Sequence, residues 1–107
     1  MVDLPRPVAR YFDAERARDV GTQMLCFTED AIVHDEGRDY RGLVAIAGWK
    51  RAVQAKFEYE CEPLSVSAEG TCVSVLVRLT GNFPGSPVEL DHQFTLDGGN
   101  ITALTIE

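Results

Sequence analysis

A chain of 107 residues, 45% of them hydrophobic, makes one domain, residues 1–107, that can bury a core without disulfide or metal staples. Seventeen acidic against 10 basic side chains give a net charge of −7, which disfavours nucleic acid and anionic membrane surfaces as partners because both select basic patches. Cys26, Cys61 and Cys72 show no CxxC or metal-like spacing, so a reducing compartment is expected, with Cys26 and Cys72 as small buried hydrophobes.

Residues 1–7 are a lead-in, and Pro5 and Pro7 suit an extended entry or a first helical turn. The start has no apolar run of signal-peptide kind, and no segment reaches membrane-spanning length, so the expectation is a soluble cytoplasmic protein. From Val8, the three-to-four spacing of Val8, Tyr11, Phe12 and Glu15 predicts a helix. Asp19 reads as the N-cap of a second helix over Val20 to Phe27, with Met24, Leu25 and Phe27 inward. Thr28-Glu29-Asp30 reads as a turn, Ala31 to Asp35 as a short strand, and Glu36 to Arg41 as a charged loop. Gly42 opens the longest helix, Leu43 to Phe57, whose buried side carries Leu43, Ile46, Ala47, Trp49 or Lys50, Val53 and Phe57.

Beyond Phe57 the period changes to two. Phe57, Tyr59 and Cys61 alternate with Glu58, Glu60 and Glu62, and Pro63 marks an edge or a bulge before Leu64, Val66 and Ala68 continue the pattern. In Thr71 to Gly81, Val73, Val75, Val77 and Leu79 face one way and Ser74, Leu76, Arg78 and Thr80 the other. Val88 to Leu96 presents Val88, Leu90, His92, Phe94 and Leu96 on one face, and turns Asp91 away. Asp97-Gly98-Gly99-Asn100 is a hairpin signal leading to a last strand, Ile101 to Ile106. Helices first and antiparallel strands after give an α+β plan: three N-terminal helices on one face of a curved, mostly antiparallel sheet.

Three stretches carry a family resemblance: Phe27-Thr28-Glu29-Asp30-Ala31 before the short strand, His34-Asp35 at its end, and Gly42, Ile46 and Trp49 opening the long helix. With the element order they resemble the cone-shaped fold of nuclear transport factor 2 and ketosteroid isomerase, also called SnoaL-like. The superfamily holds isomerases, cyclases, dehydratases, epoxide hydrolases and plain binding domains, so fold alone does not choose an activity. The first part is most similar to ketosteroid isomerase. That resemblance implies Asp35 as general base, Tyr11, 24 residues before it, as oxyanion donor, and His92 where the enzyme has a protonated aspartic acid. Glu36 stands where a proline usually follows the base, and Phe27 and Lys50 stand where further tyrosines support the oxyanion tyrosine. These departures count against a steroid substrate. Relatives usually pair through the sheet, and Leu76 suggests an outer face that is not wholly wet, so a homodimer is also expected.

Each residue has a plainer alternative. Asp35 is a base at the mouth of an apolar cavity, where desolvation strengthens a carboxylate, or a loop carboxylate bonded to nearby backbone. Tyr11 is an oxyanion donor or a core tyrosine with a local acceptor. His92 interrupts an apolar strand face and must be hydrogen-bonded there, by a substrate or by the protein, or its burial costs roughly 1–3 kcal/mol. His34 and Asp35 are neighbours on a strand and point to opposite faces. Phe27, Ile32 or Val33, Trp49, Val88, Leu90 and Phe94 are candidates to line the cavity and exclude water, or to be core. Arg78 reads as a solvated or subunit-contact residue. No metal-ligand cluster, glycine-rich phosphate loop or cofactor motif is present, so neither a metal nor a cofactor is expected. The expected function is proton-transfer chemistry (isomerase, cyclase or dehydratase) on a small hydrophobic carbonyl compound. The alternative is a non-catalytic small-molecule-binding or dimerisation domain.

Overall fold

The two-residue period of the second half forms four long strands in the computed structural model, which describes residues 2–107. They are β3 (Tyr59–Glu69), β4 (Cys72–Gly81), β5 (Val88–Asp97) and β6 (Asn100–Ile106), following β1 (Phe27–Asp35) and β2 (Arg38–Arg41). The sheet order is β2-β1-β6-β5-β4-β3, antiparallel throughout except where β1 runs parallel to β6. The Asp97-Gly98-Gly99-Asn100 signal becomes a two-residue hairpin, with Asp97 paired to Asn100 and both glycines at positive φ. The expected break at Pro63 is a register shift between Pro63 and Ser65.

Three helices, α1 (Arg6–Ala17), α2 (Val20–Met24) and α3 (Leu43–Lys56), complete the α+β cone. The α1 stripe buries Val8, Tyr11, Phe12 and Glu15, as its spacing requires. Asp19 caps α2 by accepting from the Thr22 backbone N–H at 3.1 Å. In α3, Ile46, Ala47, Trp49 and Lys50 are all buried. An aromatic cluster joins helix to sheet: Tyr11 meets Phe12 edge-on at 5.1 Å between ring centroids, Phe94 at 5.4 Å and Phe27 at 6.0 Å.

The structure corrects the reading at the front of the sheet. Helix α2 stops at Met24, and Phe27 opens β1 instead of closing a helix. The Thr28-Glu29-Asp30 segment is strand, not turn; a register shift between Phe27 and Ile32 absorbs it as β1 pairs with β6. Leu25 lies outside the core at 66% exposure. Glu36 to Arg41 is a hairpin: Glu36 (φ 53°) and Gly37 (φ 75°) form a two-residue turn, and Arg38–Arg41 pairs back on β1. Its charged composition hid an edge strand, whose outer side can be wet. Cys72 is exposed, because alternation puts it with Ser74 on the outer face of β4, away from Val73. That outer face also carries Arg78, which pairs with Glu89 at 3.2 Å and Glu62 at 3.6 Å.

Gly81, at the end of β4, lies opposite Tyr59. A Cβ there would come within 2.2 Å of the Glu58 carbonyl oxygen and 2.7 Å of the Tyr59 Cβ. Gly81→Ala must push β3 from β4 and should cost about 1–3 kcal/mol. A urea midpoint equal to that of the parent protein would show that the strands separate there without strain.

Candidate functional site

Helices α1 and α3 do not cover the inner face of the sheet evenly. Between α3, the end of β1 and the first halves of β3 and β5 they leave a partly open cavity of about 830 Å³. Its wall is mostly apolar, with Trp49, Val53, Phe57, Leu79, Phe83 and Leu90 prominent in it. The charged and phenolic or imidazole groups on that wall come from distant parts of the chain: Tyr11, Glu15, Asp35, Glu36, Tyr40, Lys50, Lys56, Tyr59 and His92.

Asp35 is the last residue of β1, half-buried, where the strand ends beneath α3. It accepts a hydrogen bond from the Trp49 indole N–H, Nε1 to Oδ2, at 3.0 Å. Trp49 is itself packed against Tyr40 of β2, ring centroids 5.9 Å apart. The carboxylate therefore meets a fixed donor on one oxygen and the cavity beside it. His34 points the other way, as alternation requires, and its Nδ1 lies 2.5 Å from Asp39 Oδ1. Tight pairing across the β1–β2 hairpin keeps it out of the cavity.

Tyr11 of α1 and His92 of β5 line the same space, and His92 lies in the same row of the sheet as Asp35, both registered against Ile106. Burial first, and the Glu15 charge second, push the Tyr11 pKa well above its ordinary value, so the phenol stays neutral and able to donate. His92 is 4% exposed and its Nδ1 has no hydrogen-bond partner among the described residues. Burial and then the Lys50 charge push the imidazole down to about 4, so it is neutral near pH 7. Three residues with no sequence proximity, Tyr11, Asp35 and His92, thus converge on one cavity.

The inner wall holds a group that the sequence reading passed over. Glu15 of α1 and Lys50 of α3, both almost fully buried, form an ion pair at 2.9 Å. Glu15 also accepts from the Gln23 side-chain amide at 2.7 Å and from the Tyr59 hydroxyl in a short hydrogen bond. Burial alone would raise the Glu15 pKa, but Lys50 together with hydrogen bonds from Gln23 and Tyr59 holds it below the ordinary value. The Cys61 thiol lies 4.0 Å from the same carboxylate, and burial and then Glu15 push it up to about 12, which leaves it an inert thiol. The signal was available: Glu15 falls on the apolar stripe of α1, and Lys50 adjoins Ile46 and Trp49 on α3.

Trp49 and Leu90 line the cavity; Val33, Phe27 and Phe94 do not. Val33 and Phe94 belong to the closed core behind Tyr11, and Phe27 is packed edge-on against the Tyr11 ring, so none of the three can touch a ligand in this cavity. Among the described residues no group of three or more His, Cys, Asp or Glu side chains is placed to hold a metal ion. Among the same residues no helix is long and apolar enough to cross a membrane.

Residues 8–104 match the SnoaL-like domain family. A solved structure from Sinorhizobium meliloti, provisionally described as a polyketide cyclase, is 40% identical, covers 98% of this chain and 96% of its own, and superposes with a TM-score of 0.96. A Silicibacter protein described in the same provisional way is 24% identical over 94% of this chain and 85% of its own, with a TM-score of 0.81. A Catenulispora acidiphila protein of ketosteroid isomerase-like fold, solved in complex with trimethylamine, is 20% identical over 98% of this chain and 86% of its own, with a TM-score of 0.86. Curated protein sequences give no match.

The buried imidazole sets a pH dependence. Its folded pKa of about 4 lies below the ordinary 6.5, so between these values the unfolded chain binds the proton and the folded one does not. Stability from this group is full above about pH 6.5 and is lost as the pH falls towards 4. His92→Phe should flatten the decline of thermal midpoint across that window while Glu15, whose pKa is lowered, still contributes a decline at more acid pH. An unchanged slope between pH 6.5 and 4 would show that His92 takes up its proton in the folded state.

Proposed function

The chain belongs to the SnoaL-like domain family, with the nuclear transport factor 2-like cone fold, and on that premise we propose that it moves protons on an apolar carbonyl compound. Asp35 takes the proton from the carbon next to the carbonyl. The bonding pair moves towards the carbonyl oxygen, and the enolate oxygen accepts hydrogen bonds from the Tyr11 phenol and the His92 imidazole. Protonated Asp35 then returns its proton to another carbon, which is an isomerisation. The same enolate can instead attack a second carbonyl, whose oxygen takes the proton from Asp35, or expel a β-hydroxyl group that leaves as water with that proton, the cyclase and dehydratase outcomes. Trp49, Val88 and Leu90 keep water from the reacting atoms, and no step calls for a cofactor.

One observation carries this reading: the carboxylate, the phenol and an imidazole whose Nδ1 has no partner among the described residues all line a single, mostly apolar cavity. A neutral histidine suits it, because a neutral ring offers one N–H without competing as a charge. The Trp49 hydrogen bond suits it too, since a base must be held in one orientation before it can take a proton efficiently.

We also infer a homodimer packed through the outer faces of two sheets. What supports it is Leu76, half-buried on that face of β4 among ion-paired and polar side chains. Light scattering at micromolar concentration should then give twice the mass of one chain, and the mass of a single chain would remove the pairing.

Replacing Asp35 by Asn keeps the hydrogen-bonding shape and removes the base. With β,γ-unsaturated ketones as substrates, Asp35→Asn should lower kcat by about 10²–10⁴-fold with an unaltered far-ultraviolet circular dichroism spectrum. A variant as active as the parent would exclude the carboxylate from the reaction.

A further inference from the structure

The proton-transfer reading gives no task to the buried cation on the cavity wall. Lys50 is 4% exposed, and an ammonium in that position is costly unless something uses it. It offers three N–H donors, and Glu15 accepts only one hydrogen bond from it, at 2.9 Å. Its other neighbours are ring faces: its Nζ lies 4.3 Å from the Trp49 ring centroid and 5.7 Å from that of Tyr11. Aromatic faces attract the cation but do not take up its hydrogens as an oxygen would. The Glu15 oxygen that meets Lys50 also accepts from Gln23, and the other accepts from Tyr59, so the carboxylate is shared among three donors and leaves N–H groups of Lys50 free for another acceptor.

Trp49 also relates the base to the cation. Its N–H edge donates to Asp35 and its ring face meets Lys50, so base and cation both flank one side chain of the cavity wall. When a proton leaves carbon for Asp35, the unit of negative charge leaves the carboxylate and appears on the substrate oxygen. The total charge of the site is unchanged, but its location moves inward, and a fixed cation at the inner wall lowers the energy of that move.

We propose that Lys50, held by Glu15, is a catalytic residue that receives the substrate oxygen at the inner end of the cavity, beside Tyr11 and His92, as that oxygen becomes anionic. The ligand class follows: an apolar, uncharged compound with one ionisable oxygen, an enolisable ketone or a phenol, with that oxygen seated innermost and its carbon skeleton towards the mouth. This assignment rests on the proton-transfer reading and refines which group takes the developing charge.

The test uses 2-naphthol, whose neutral and ionised forms differ in absorbance and fluorescence, at a pH about one unit below its own pKa. The parent protein should bind it with an ionised fraction well above that in buffer. Lys50→Met should lower the ratio of ionised to neutral bound probe by at least about tenfold, with the affinity for the neutral form changed little. Removing one partner of a buried pair can prevent folding, so the same reading is taken on Glu15→Gln/Lys50→Met, which removes both charges and keeps an acceptor for Gln23 and Tyr59. An ionised ratio in either folded variant equal to that of the parent would overturn the role of Lys50 and leave the Asp35 reading standing. Failure of the parent protein to bind the probe, or binding only of the neutral form, would overturn both.

Discussion

A carboxylate and an ammonium have been taken out of water where α1, α3 and β3 meet, and the placement of everything around the cavity follows from how that pair is satisfied. An unpaired charge there would cost several kcal/mol. Glu15 avoids that by drawing in Lys50, the Gln23 amide and the Tyr59 hydroxyl, one from each of three further elements. Each of these partners has little freedom to move without exposing the carboxylate to an apolar surrounding. A core of side chains alone could slide by a rotamer; this one is pinned by directional bonds.

Two kinds of wall result. Behind Tyr11, the edge-on rings of Phe27 and Phe94 belong to the packed core, while Phe12, on the other side, also touches the cavity. In front of it, α3 stands off from β5 far enough to leave a cavity rimmed by Trp49, Leu90 and His92. The polar residues are arranged in depth: Asp35 near the open end, and the Glu15–Lys50 pair with the neutral imidazole and phenol farther in. A ligand that is oily along most of its length and polar at one end matches that order.

Much of this could be read from the chain. Alternation of period two over Tyr59–Ile106, ended by Gly70 and by Gly98-Gly99, gave all four long strands within a residue or two, because pleat geometry forces the pattern wherever one face is buried. The convergence of Tyr11, Asp35 and His92 came from resemblance as well as from the odd polar residue on an apolar face. What stayed hidden depended on contacts between distant segments. Strand β1 extends back to Phe27 only because β6 lies beside it, and no local preference of Thr28-Glu29-Asp30 announces that. Phe94 and Val33 have the same local pattern as cavity residues, and only packing decides which side of Tyr11 they occupy. Lys50 looked ambiguous on the helical wheel because its identity said surface and its position said core; the partner that resolves the conflict is 35 residues earlier in the chain.

The parallel strand pair has a temporal meaning. Asp35 is registered against Ile106, so the strand end that carries it is held by a segment roughly 70 residues downstream. During synthesis the helices and the β1–β2 hairpin can form early from local contacts, yet they cannot fix the carboxylate, since its lateral neighbour has not been made. The meander must be laid down strand by strand until β6 slots between β5 and β1 and shuts the sheet. The position of the carboxylate at the end of β1 therefore depends on a strand made last among the nine elements, and until β6 is in place Asp35 has no lateral neighbour on that side.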